Sequence, residues 1–443
     1  MISVNHILLY CFSFFVYLSN FVYSKSGMNH LNTDFENIQV NRTIDLNNHI
    51  VKVESRILVK NNKIDPANSY RLPLLKNITK NLLYLEAKMS AVEEETEITL
   101  KIHKQHKTNE DFVYYDLSFR SEPMNNEEER IIIISEYYSD QFELLPKEIY
   151  LTDNQYVVFH STKNFISFYK TKQQTTRVSL PIEKNKILSY TKSNAAVDLD
   201  KIIYTFMEEK DSYFFEEFDV HFECNFSLIQ FNSVEKIHEV SHWGNIAVEE
   251  RYQIVNVGAK LIGEFGRVDF DDEGVRGGKN ALRALYSKLP LRANNLWYRD
   301  EIGNVSTSRA FRDWDDVKLD LELRFPLLGG WKSNYNVGYS LPTKFHVSLN
   351  EEGQYKLNMT FGLGYDDLLA KNYSYKIILP ENSEVLRVKL PLESSSYKIK
   401  YDKSYSFLDF FGRTTVVITM NNVFDIHRVP IEVSDFLIFN YKT

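Results

Sequence analysis

The chain has 443 residues, of which 43% are hydrophobic and 25% charged, so it holds enough apolar material for one or more large cores. Its aromatic content of 14% favours strands, because large flat side chains pack well on a pleated surface. The formal net charge of -8 argues against nucleic acid as a partner, since phosphate binding requires a basic patch.

The N-terminal segment HILLYCFSFFVYLSNFVYS, residues 6–24, is apolar. Val22 and Ser24 fit cleavage by signal peptidase, so a signal peptide of residues 1–24 and entry into the secretory pathway are predicted. The alternative is an uncleaved anchor, because the apolar run approaches the length that spans a bilayer. Of the two cysteines, Cys224 alone follows this segment, and we expect it to be a buried apolar residue.

Alternation of apolar and polar residues is the main structural signal, because successive side chains of a strand point to opposite faces. The segment VKVESRILV, residues 51–59, alternates in this way. Two stretches favour short helices, AAVDLDKIIYTFMEEK at 195–210 and GGKNALRALYSKLP at 277–290. The segment VKLDLELRF places five apolar residues on one face: Val317, Leu319, Leu321, Leu323 and Phe325.

These patterns predict a mainly β protein with a few short helices, built as two tandem antiparallel β-sandwich-like domains. A boundary is predicted near residues 234–238, where one group of strands ends and another begins. The first domain then covers residues 25–235 and the second residues 236–443. No Gly/Ser linker separates the two groups, so we expect the domains to touch.

The stretch HEVSH, residues 238–242, matches H-E-x-x-H, the zinc-peptidase motif. In that motif a helix brings both imidazoles to one zinc ion, and the Glu polarises the bound water. Here Val240, Ser241 and Trp243 are mediocre helix formers, Gly244 follows them, and the next segment, NIAVEERYQIVNV, alternates like a strand. On a strand His238 and His242 would lie about 13 Å apart, too far to share a zinc ion. We therefore expect a strand with Trp243 packed at its edge, and a zinc peptidase using His238, Glu239 and His242 is a remote alternative.

Other catalytic patterns are absent from the sequence, including G-x-S-x-G, the P-loop, C-x-x-C and G-x-G-x-x-G. Asp300 and Glu301 are adjacent, but adjacent residues of a strand point to opposite faces and make a poor acid–base pair. We predict no catalytic residue, no metal site and no cofactor. N-x-S/T sequons, close in number to chance for a chain this rich in Asn, are glycosylation candidates at Asn41, Asn77, Asn225, Asn304, Asn358 and Asn372.

Longer motifs, in the same order along the chain, resemble those of the ribophorin I family, subunit 1 of the oligosaccharyltransferase complex. They are EVSHWGNIAVEE, WYRDEIGNVSTS, RFPLLGGWKSNYNVGYSLP, KIILPE and LDFFGR. Asn304 lies where the family's own glycosylated Asn falls, so the resemblance ranks this sequon first. The resemblance rests on these structural positions: His242, Trp243, Gly244, Asn245, Arg299, Asp300, Gly329, Gly330, Trp331, Gly412 and Arg413.

The resemblance implies a non-catalytic subunit that supports transfer of a preassembled oligosaccharide from dolichyl diphosphate to Asn in N-x-S/T of nascent polypeptides. Its partners would be the catalytic and accessory subunits of the complex, nascent polypeptides and the translocon. The domains would lie at the lumenal face of the endoplasmic reticulum membrane. The family pattern continues into a single transmembrane helix, expected to begin about where this sequence ends at Thr443. The alternative is a free lumenal binding or chaperone-like β protein.

Overall fold

The computed structural model describes residues 34–92, 96–105, 111–119, 121–181, 186–271, 280–350, 354–385, 387–407 and 409–436. About 61% of the structure is strand, so the prediction of a mainly β fold is confirmed. In the described ranges, none of the helices combines the length and the hydropathy that a bilayer crossing requires. The predicted signal peptide, residues 1–24, lies outside the described residues. The helices are short: α1 (Lys76–Thr79), α2 (Arg267–Asp271) and the 3-10 turns Thr343–Phe345 and Asp425–His427.

The first part of the described chain forms a β-sandwich, here the first sandwich. Its strands are β1 (Phe35–Asp45), β2 (Val51–Asn61), β3 (Ser69–Leu75), β4 (Leu82–Ala91), β5 (Ile98–Thr99), β6 (Lys101–Lys104), β7 (Phe112–Ser118), β8 (Glu129–Tyr138), β9 (Phe142–Leu144), β10 (Glu148–Ile149), β11 (Tyr156–Thr162), β12 (Lys170–Ser179), β13 (Ile187–Tyr190), β14 (Ala195–Asp198), β15 (Lys201–Phe206) and β16 (Glu217–Glu223). An eight-stranded sheet, β14-β15-β12-β1-β2-β8-β4-β5, packs against two smaller sheets, β13-β16-β11-β9 and β3-β7-β6.

The rest of the described chain forms the second sandwich. Its strands are β17 (Ile229–Val240), β18 (Asn245–Asn256), β19 (Lys260–Leu261), β20 (Leu282–Pro290), β21 (Asn294–Asp300), β22 (Arg309–Arg312), β23 (Asp316–Leu327), β24 (Lys332–Pro342), β25 (Val347–Leu349), β26 (Tyr355–Thr360), β27 (Leu369–Glu381), β28 (Arg387–Lys389), β29 (Tyr397–Ser404), β30 (Arg413–Val423) and β31 (Pro430–Phe436). A seven-stranded sheet, β21-β24-β18-β17-β27-β30-β29, shares one apolar core with the sheets β20-β23-β22 and β25-β26-β31-β28.

The two sandwiches share one topology. The strand order β14-β15-β12-β1-β2-β8-β4 of the first large sheet corresponds strand by strand to β29-β30-β27-β17-β18-β24-β21 of the second. The smaller sheets correspond as well, β13-β16-β11-β9 to β28-β31-β26-β25 and β3-β7-β6 to β20-β23-β22. In each large sheet the first strand also has a parallel neighbour, β12 for β1 and β27 for β17. The chain therefore contains the same fold twice in tandem.

The sandwiches are stacked end to end. We call the end of each sandwich that carries the β1–β2 or β17–β18 turn its hairpin end. Ile50, at the hairpin end of the first sandwich, packs against Leu369 and Phe424, which lie at the opposite end of the second. The parallel bridge between β10 and β19 and a hydrogen bond of 2.8 Å from the Ala259 N–H to Gln155 Oε1 join the same two ends. The first hairpin end is therefore covered by the second sandwich.

Both predicted helices are wrong. Residues 195–210 form the β14–β15 hairpin, and β20 occupies residues 282–290 of the second stretch. In β20 the buried residues recur every second position, at Leu285, Ser287 and Leu289. The helix-forming Ala, Leu and Lys residues of these segments carry a weak local preference, and pairing with β12 and β23 overrides it.

The alternating segments form strands with the expected apolar faces, apart from one residue. Val317, Leu319 and Leu321 of β23 are buried, whereas Phe325 is half exposed. Cys224 is buried as predicted. The predicted domain ranges stay a prediction. Because β17 crosses residues 235 and 236, a division by sheet falls before Ile229 instead.

Candidate functional site

The motif EVSHWGN forms the end of β17, a tight turn and the start of β18. Trp243 N–H donates to Ser241 Oγ at 3.1 Å, and Ser241 N–H donates to the carbonyl of Asn245 at 3.0 Å. Gly244 has φ of +87°, a backbone conformation that disfavours any residue with a Cβ. Trp243 is 95% exposed, so the expectation that it packs at the strand edge is wrong. The turn presents Trp243 and His242 to solvent.

The histidines of the H-E-x-x-H match lie in different environments. His238 is on β17, only 1% exposed, and its Nδ1 is hydrogen-bonded to the Tyr375 hydroxyl at 2.6 Å. Burial holds the pKa of His238 well below its usual value, so the ring is neutral at pH 7. Glu239 forms an ion pair with Arg413. Across the described ranges, no group of three or more His, Cys, Asp or Glu side chains could hold a metal ion. His238 and Glu239 thus lie on β17, whereas His242 lies in the turn that follows it.

Exposed apolar side chains gather at the hairpin end of the second sandwich. All seven strands of the large sheet reach this end, which is about 29 Å wide at about 4.8 Å per strand. Trp243 lies in the β17–β18 turn, and Trp314, 91% exposed, lies in the β22–β23 turn. The loop between β29 and β30 adds Phe407 and Phe410, which are 90% and 86% exposed. We call this set the aromatic rim: Trp243, Trp314, Phe345, Leu349, Phe407, Phe410 and Phe411.

Polar contacts join the loops of the aromatic rim. Thr343 N–H donates to the carbonyl of Gly244 at 3.0 Å, which links the 3-10 turn to the β17–β18 turn. The Arg292 guanidinium lies 3.6 Å from the centre of the Phe345 ring. Arg413 pairs with both Glu239 and Asp409, and this fixes the start of β30 beside the end of β17. These contacts hold the rim loops side by side.

The loop after β29 carries the last family motif, LDFFGR. Ser406 N–H donates to the Asp409 carboxylate at 2.7 Å, and Asp409 N–H donates back to the carbonyl of Ser406 at 3.1 Å. Gly412 adopts a positive φ beside the Tyr405 ring. The backbone N–H of Phe411 donates to the Glu381 carboxylate. This bonding keeps Phe407, Phe410 and Phe411 out of the core.

The motif WYRDEIGNVSTS lies at the opposite end of the second sandwich. Asp300 accepts two hydrogen bonds from Arg324, at 2.5 and 3.0 Å, and two from the backbone of Ile302 and Gly303, both at 2.9 Å. The hydrogen bond from Arg324 is the main cause that lowers the pKa of Asp300. The neighbouring Glu301 accepts instead from Asn334 Nδ2 at 2.6 Å. The two carboxylates therefore have separate structural partners.

This network shapes the loop of the first-ranked sequon. Arg299 Nε donates to Asn304 Oδ1 at 3.0 Å, and Arg324 donates to the carbonyl of Asn304 at 3.2 Å. Asn304 is exposed. The Arg299 bond engages the amide oxygen and not Nδ2, the atom to which a glycan attaches. The geometry is thus compatible with a glycan at Asn304, which stays a prediction.

The other sequons differ in accessibility. Asn77, Asn225, Asn358 and Asn372 are exposed, whereas Asn41 is half-buried within β1. The Nδ2 of Asn225 donates to the carbonyl of Pro181 at 2.7 Å, and that of Asn372 to the carbonyl of Asn232 at 3.0 Å. A glycan at either position would replace one N–H of that amide.

The Gly-Gly-Trp part of RFPLLGGW lies where the two sandwiches meet. A Cβ added to Gly329 would lie 1.8 Å from the carbonyl oxygen of Ala259, so the backbones touch here. Gly330 has a positive φ of 80° and its N–H donates to the carbonyl of Asn256 at 2.8 Å. Trp331 is half-buried against Phe265. The glycines thus pack against Ala259 and Lys260, whose backbone N–H groups donate to Gln155 and Lys147 of the first sandwich.

A buried ionic network crosses the middle of the large sheet. Glu250 is 2% exposed and lies 3.1 Å from Lys236 Nζ. The hydroxyls of Tyr252 and Tyr339 donate to its carboxylate at 2.5 and 3.0 Å. With these partners the carboxylate is fully engaged, so the network has a structural role.

Comparison with known proteins identifies the family. Residues 35–436 match the family model described as Ribophorin I. The chain belongs to the ribophorin I family. This confirms the family that the sequence motifs predict.

The relatives of this ribophorin I family member are named as subunit 1, 1A or 1B of a glycosyltransferase. The chain is 31% identical over 405 residues to "Dolichyl-diphosphooligosaccharide--protein glycosyltransferase subunit 1B" of Arabidopsis thaliana. This alignment covers 90% of the chain and 86% of the relative. It is also 31% identical over 392 residues to subunit 1 of Caenorhabditis elegans, covering 88% of this chain and 65% of the relative. The chain thus spans less than two thirds of the nematode protein. Among solved structures, native yeast LTA4 hydrolase aligns at 9% identity over 48% of this chain and 34% of the hydrolase chain, with a TM-score of 0.29. A structural similarity this weak supports no conclusion.

Sequence reasoning missed most of the aromatic rim in this ribophorin I family member. It singled out Trp243 but not Trp314, Phe345, Leu349 or the three Phe residues of the β29–β30 loop. A usable signal was present, since SHWGN, RDWDD and LDFFG each set aromatic residues among turn-forming Gly, Asp, Ser or Asn. Aromatic residues in turns have no strand face to bury them, so such segments indicate exposure.

Proposed function

We propose that this chain is a non-catalytic subunit of the oligosaccharyltransferase complex. The match to the ribophorin I family from residue 35 to 436 carries the proposal, because it covers almost the whole described chain. The relatives' names, subunits of a dolichyl-diphosphooligosaccharide–protein glycosyltransferase, supply the activity to which the chain contributes. In this proposal the complex transfers a preassembled oligosaccharide from dolichyl diphosphate to Asn of N-x-S/T sequons.

The bonding of three ionisable side chains supports an accessory role. His238, Glu250 and Asp300 each form hydrogen bonds or ion pairs that join strands or brace a loop. Groups that are bonded within the protein in this way favour rigidity over reaction with a substrate. The chain would therefore scaffold a subunit that performs the transfer.

The proposed surroundings follow from the same activity. Dolichyl diphosphate is a lipid-linked donor, so the two sandwiches are proposed to lie in the lumen of the endoplasmic reticulum beside its membrane. The predicted signal peptide of residues 1–24 is consistent with that location. Nascent polypeptides and the translocon are the further proposed partners.

Gentle purification of the tagged chain tests the proposal. Membranes are solubilised in mild detergent, the co-eluting polypeptides are identified, and the eluate is assayed for glycan transfer to an N-x-T peptide. We expect transfer activity together with a separate catalytic subunit. An inactive protein that elutes alone would contradict the proposal and favour a free lumenal binding protein.

A further inference from the structure

We propose that the aromatic rim is a membrane-contact surface whose side chains lie in the headgroup region of a lipid bilayer. The inference goes beyond the proposed function, because it assigns one occupant to a defined set of residues. It does not depend on which other subunits the chain joins.

The residue types and their exposure are the first observation. Trp243, Trp314, Phe407 and Phe410 are each at least 86% exposed, although each could bury a large apolar surface. Several large exposed apolar side chains at one end of a fold mark an interaction site. Aromatic side chains are enriched where one part of a surface is apolar and the other is wet, as at the bilayer interface.

The internal repeat supplies the second observation. The turn between β1 and β2 corresponds to the turn that carries Trp243. In the first sandwich this end is buried, since Ile50 is only 9% exposed and packs on Leu369 and Phe424. The chain leaves that end through residues 224–228 and enters the module that covers it, the second sandwich. At the corresponding end of the second sandwich the equivalent turn is uncovered.

The course of the chain is the third observation. β31 corresponds to β16, the strand that leads out of the first sandwich. Arg387, which follows the rim end of β27, pairs with Ser434, so the last residues of β31 lie at the rim. The described chain therefore leaves the second sandwich next to the aromatic rim, as it leaves the first sandwich next to its covered end.

The charges at the rim favour a lipid surface without net charge. Arg292 and Lys344 lie 3.6 and 5.0 Å from the centre of the Phe345 ring, where long cationic side chains can reach phosphate groups. Four acidic groups near the rim have partners within the protein: Asp313 with Lys318, Glu381 with the Phe411 N–H, Asp402 with Lys400, and Asp409 with Arg413. Asp315, next to Trp314, adds one exposed carboxylate. Zwitterionic phospholipid fits this balance of apolar and paired charged groups.

Flotation of the purified full chain with phosphatidylcholine vesicles tests the proposal. The rim variant combines Trp243→Ser, Phe407→Ser and Phe410→Ser. The control variant combines Ile64→Ser and Met207→Ser, two exposed apolar residues at the far end of the first sandwich, 87% and 72% exposed. The wild type and both variants share residues 1–33 and 437–443. Any difference in flotation between them is therefore due to the substituted side chains. Because the replaced side chains are exposed, urea unfolding is expected to be unchanged in both variants.

We expect the rim variant to lose at least about tenfold in vesicle partitioning, while the control variant floats like the wild type. Phosphatidylcholine with brominated acyl chains provides the second measurement. It should quench the wild-type fluorescence, and the variant Trp243→Phe/Trp314→Phe should lose that quenching, since Trp297 and Trp331 lie away from the rim.

The proposal is overturned if the wild type does not float, or if the rim variant floats as well as the wild type. If that rim variant also no longer retains co-purifying polypeptides in mild detergent, the rim is a protein interface. Because flotation uses the purified chain alone, its failure leaves the proposed subunit role untouched, and failure of subunit co-purification leaves the flotation result untouched.

Discussion

Two glycines of the family motifs are required for different physical reasons. At Gly329 an added Cβ would overlap the carbonyl oxygen of Ala259, whereas at Gly244 an added Cβ would meet no atom within 4 Å and the constraint is φ of +87°. We expect Gly329→Ala to lower the free energy of unfolding by about 3 kcal/mol, because backbone must move. Gly244→Ala should cost about 1 kcal/mol through strain alone. Urea titration of both variants measures the difference, and equal costs would contradict this assignment.

Asp300 is expected to stabilise the sequon loop. Asp300→Ala removes two charge-assisted bonds from Arg324 and two from the backbone, so the free energy of unfolding should fall by about 2 kcal/mol. Since the folded state lowers the pKa of Asp300, this contribution is present above its usual pKa and is lost as the pH falls through the lowered value. The measurement is urea unfolding at pH 7.

The exposed pair Asp313 and Lys318 is the matched control for Asp300. Asp313→Ala should change the free energy of unfolding by less than about 1 kcal/mol, because solvent screens an exposed pair. If the two alanine variants lose the same stability, the Asp300 network is no stronger than a surface pair.

At the scale of elements, Glu250 links three central strands through Lys236 and Tyr339. Lys236→Met leaves a buried carboxylate without its cation, so we expect a loss of about 3–5 kcal/mol. Adding Glu250→Gln removes the charge, and the double variant should recover more than about 1 kcal/mol of that loss. Arg251→Met, in a half-exposed ion pair on the same strand, is the control. A double variant that is less stable than Lys236→Met would refute the network.

The elements also show what local sequence can predict. The alternating face of β23 was visible because its apolar residues recur every second position and need no knowledge of neighbours. The strand β20 was not visible in this way, because its Ala, Leu and Lys residues also favour helices. Only pairing with β23 decides between helix and strand. The pairing partner lies about 30 residues downstream, and a local pattern contains no record of it.

The same limit applies to the candidate site. The motif residues Trp243, Gly412 and Arg413 were found through resemblance, but the sequence does not reveal that their loops meet at one end of a sheet. That proximity follows from the strand order, which brings β17, β27 and β30 together. The internal repeat was missed for a related reason, because strand order rather than local sequence carries it.

At the scale of the whole molecule, the contact between the sandwiches is predicted to weaken in acid. His49 and His427 are buried there, and burial lowers the pKa of each to about 4. In the unfolded chain a histidine takes up a proton below about pH 6.5, whereas these two buried rings stay neutral down to about pH 4. Their contribution to stability is therefore complete above about pH 6.5 and is lost as the pH falls toward 4. At pH 5 each histidine should lower the free energy of unfolding by about 2 kcal/mol relative to pH 7.

Urea unfolding at pH 7 and pH 5 measures this effect. His49→Gln should reduce the loss between the two pH values. His160→Gln is the control, since His160 is exposed and its pKa is raised by Asp219, so its protonation does not oppose folding. Equal stability of the wild type at both pH values would contradict the assignment.

We propose that this ribophorin I family member supports glycan transfer without performing it. The most direct measurement separates the purified complex into this chain and its remaining subunits, and assays each fraction and their mixture for transfer to an N-x-T peptide. The account predicts no transfer by the folded chain alone, reduced transfer by the remaining subunits, and recovery when the two are mixed. Transfer by the chain alone, or full activity of the complex without it, would contradict the account.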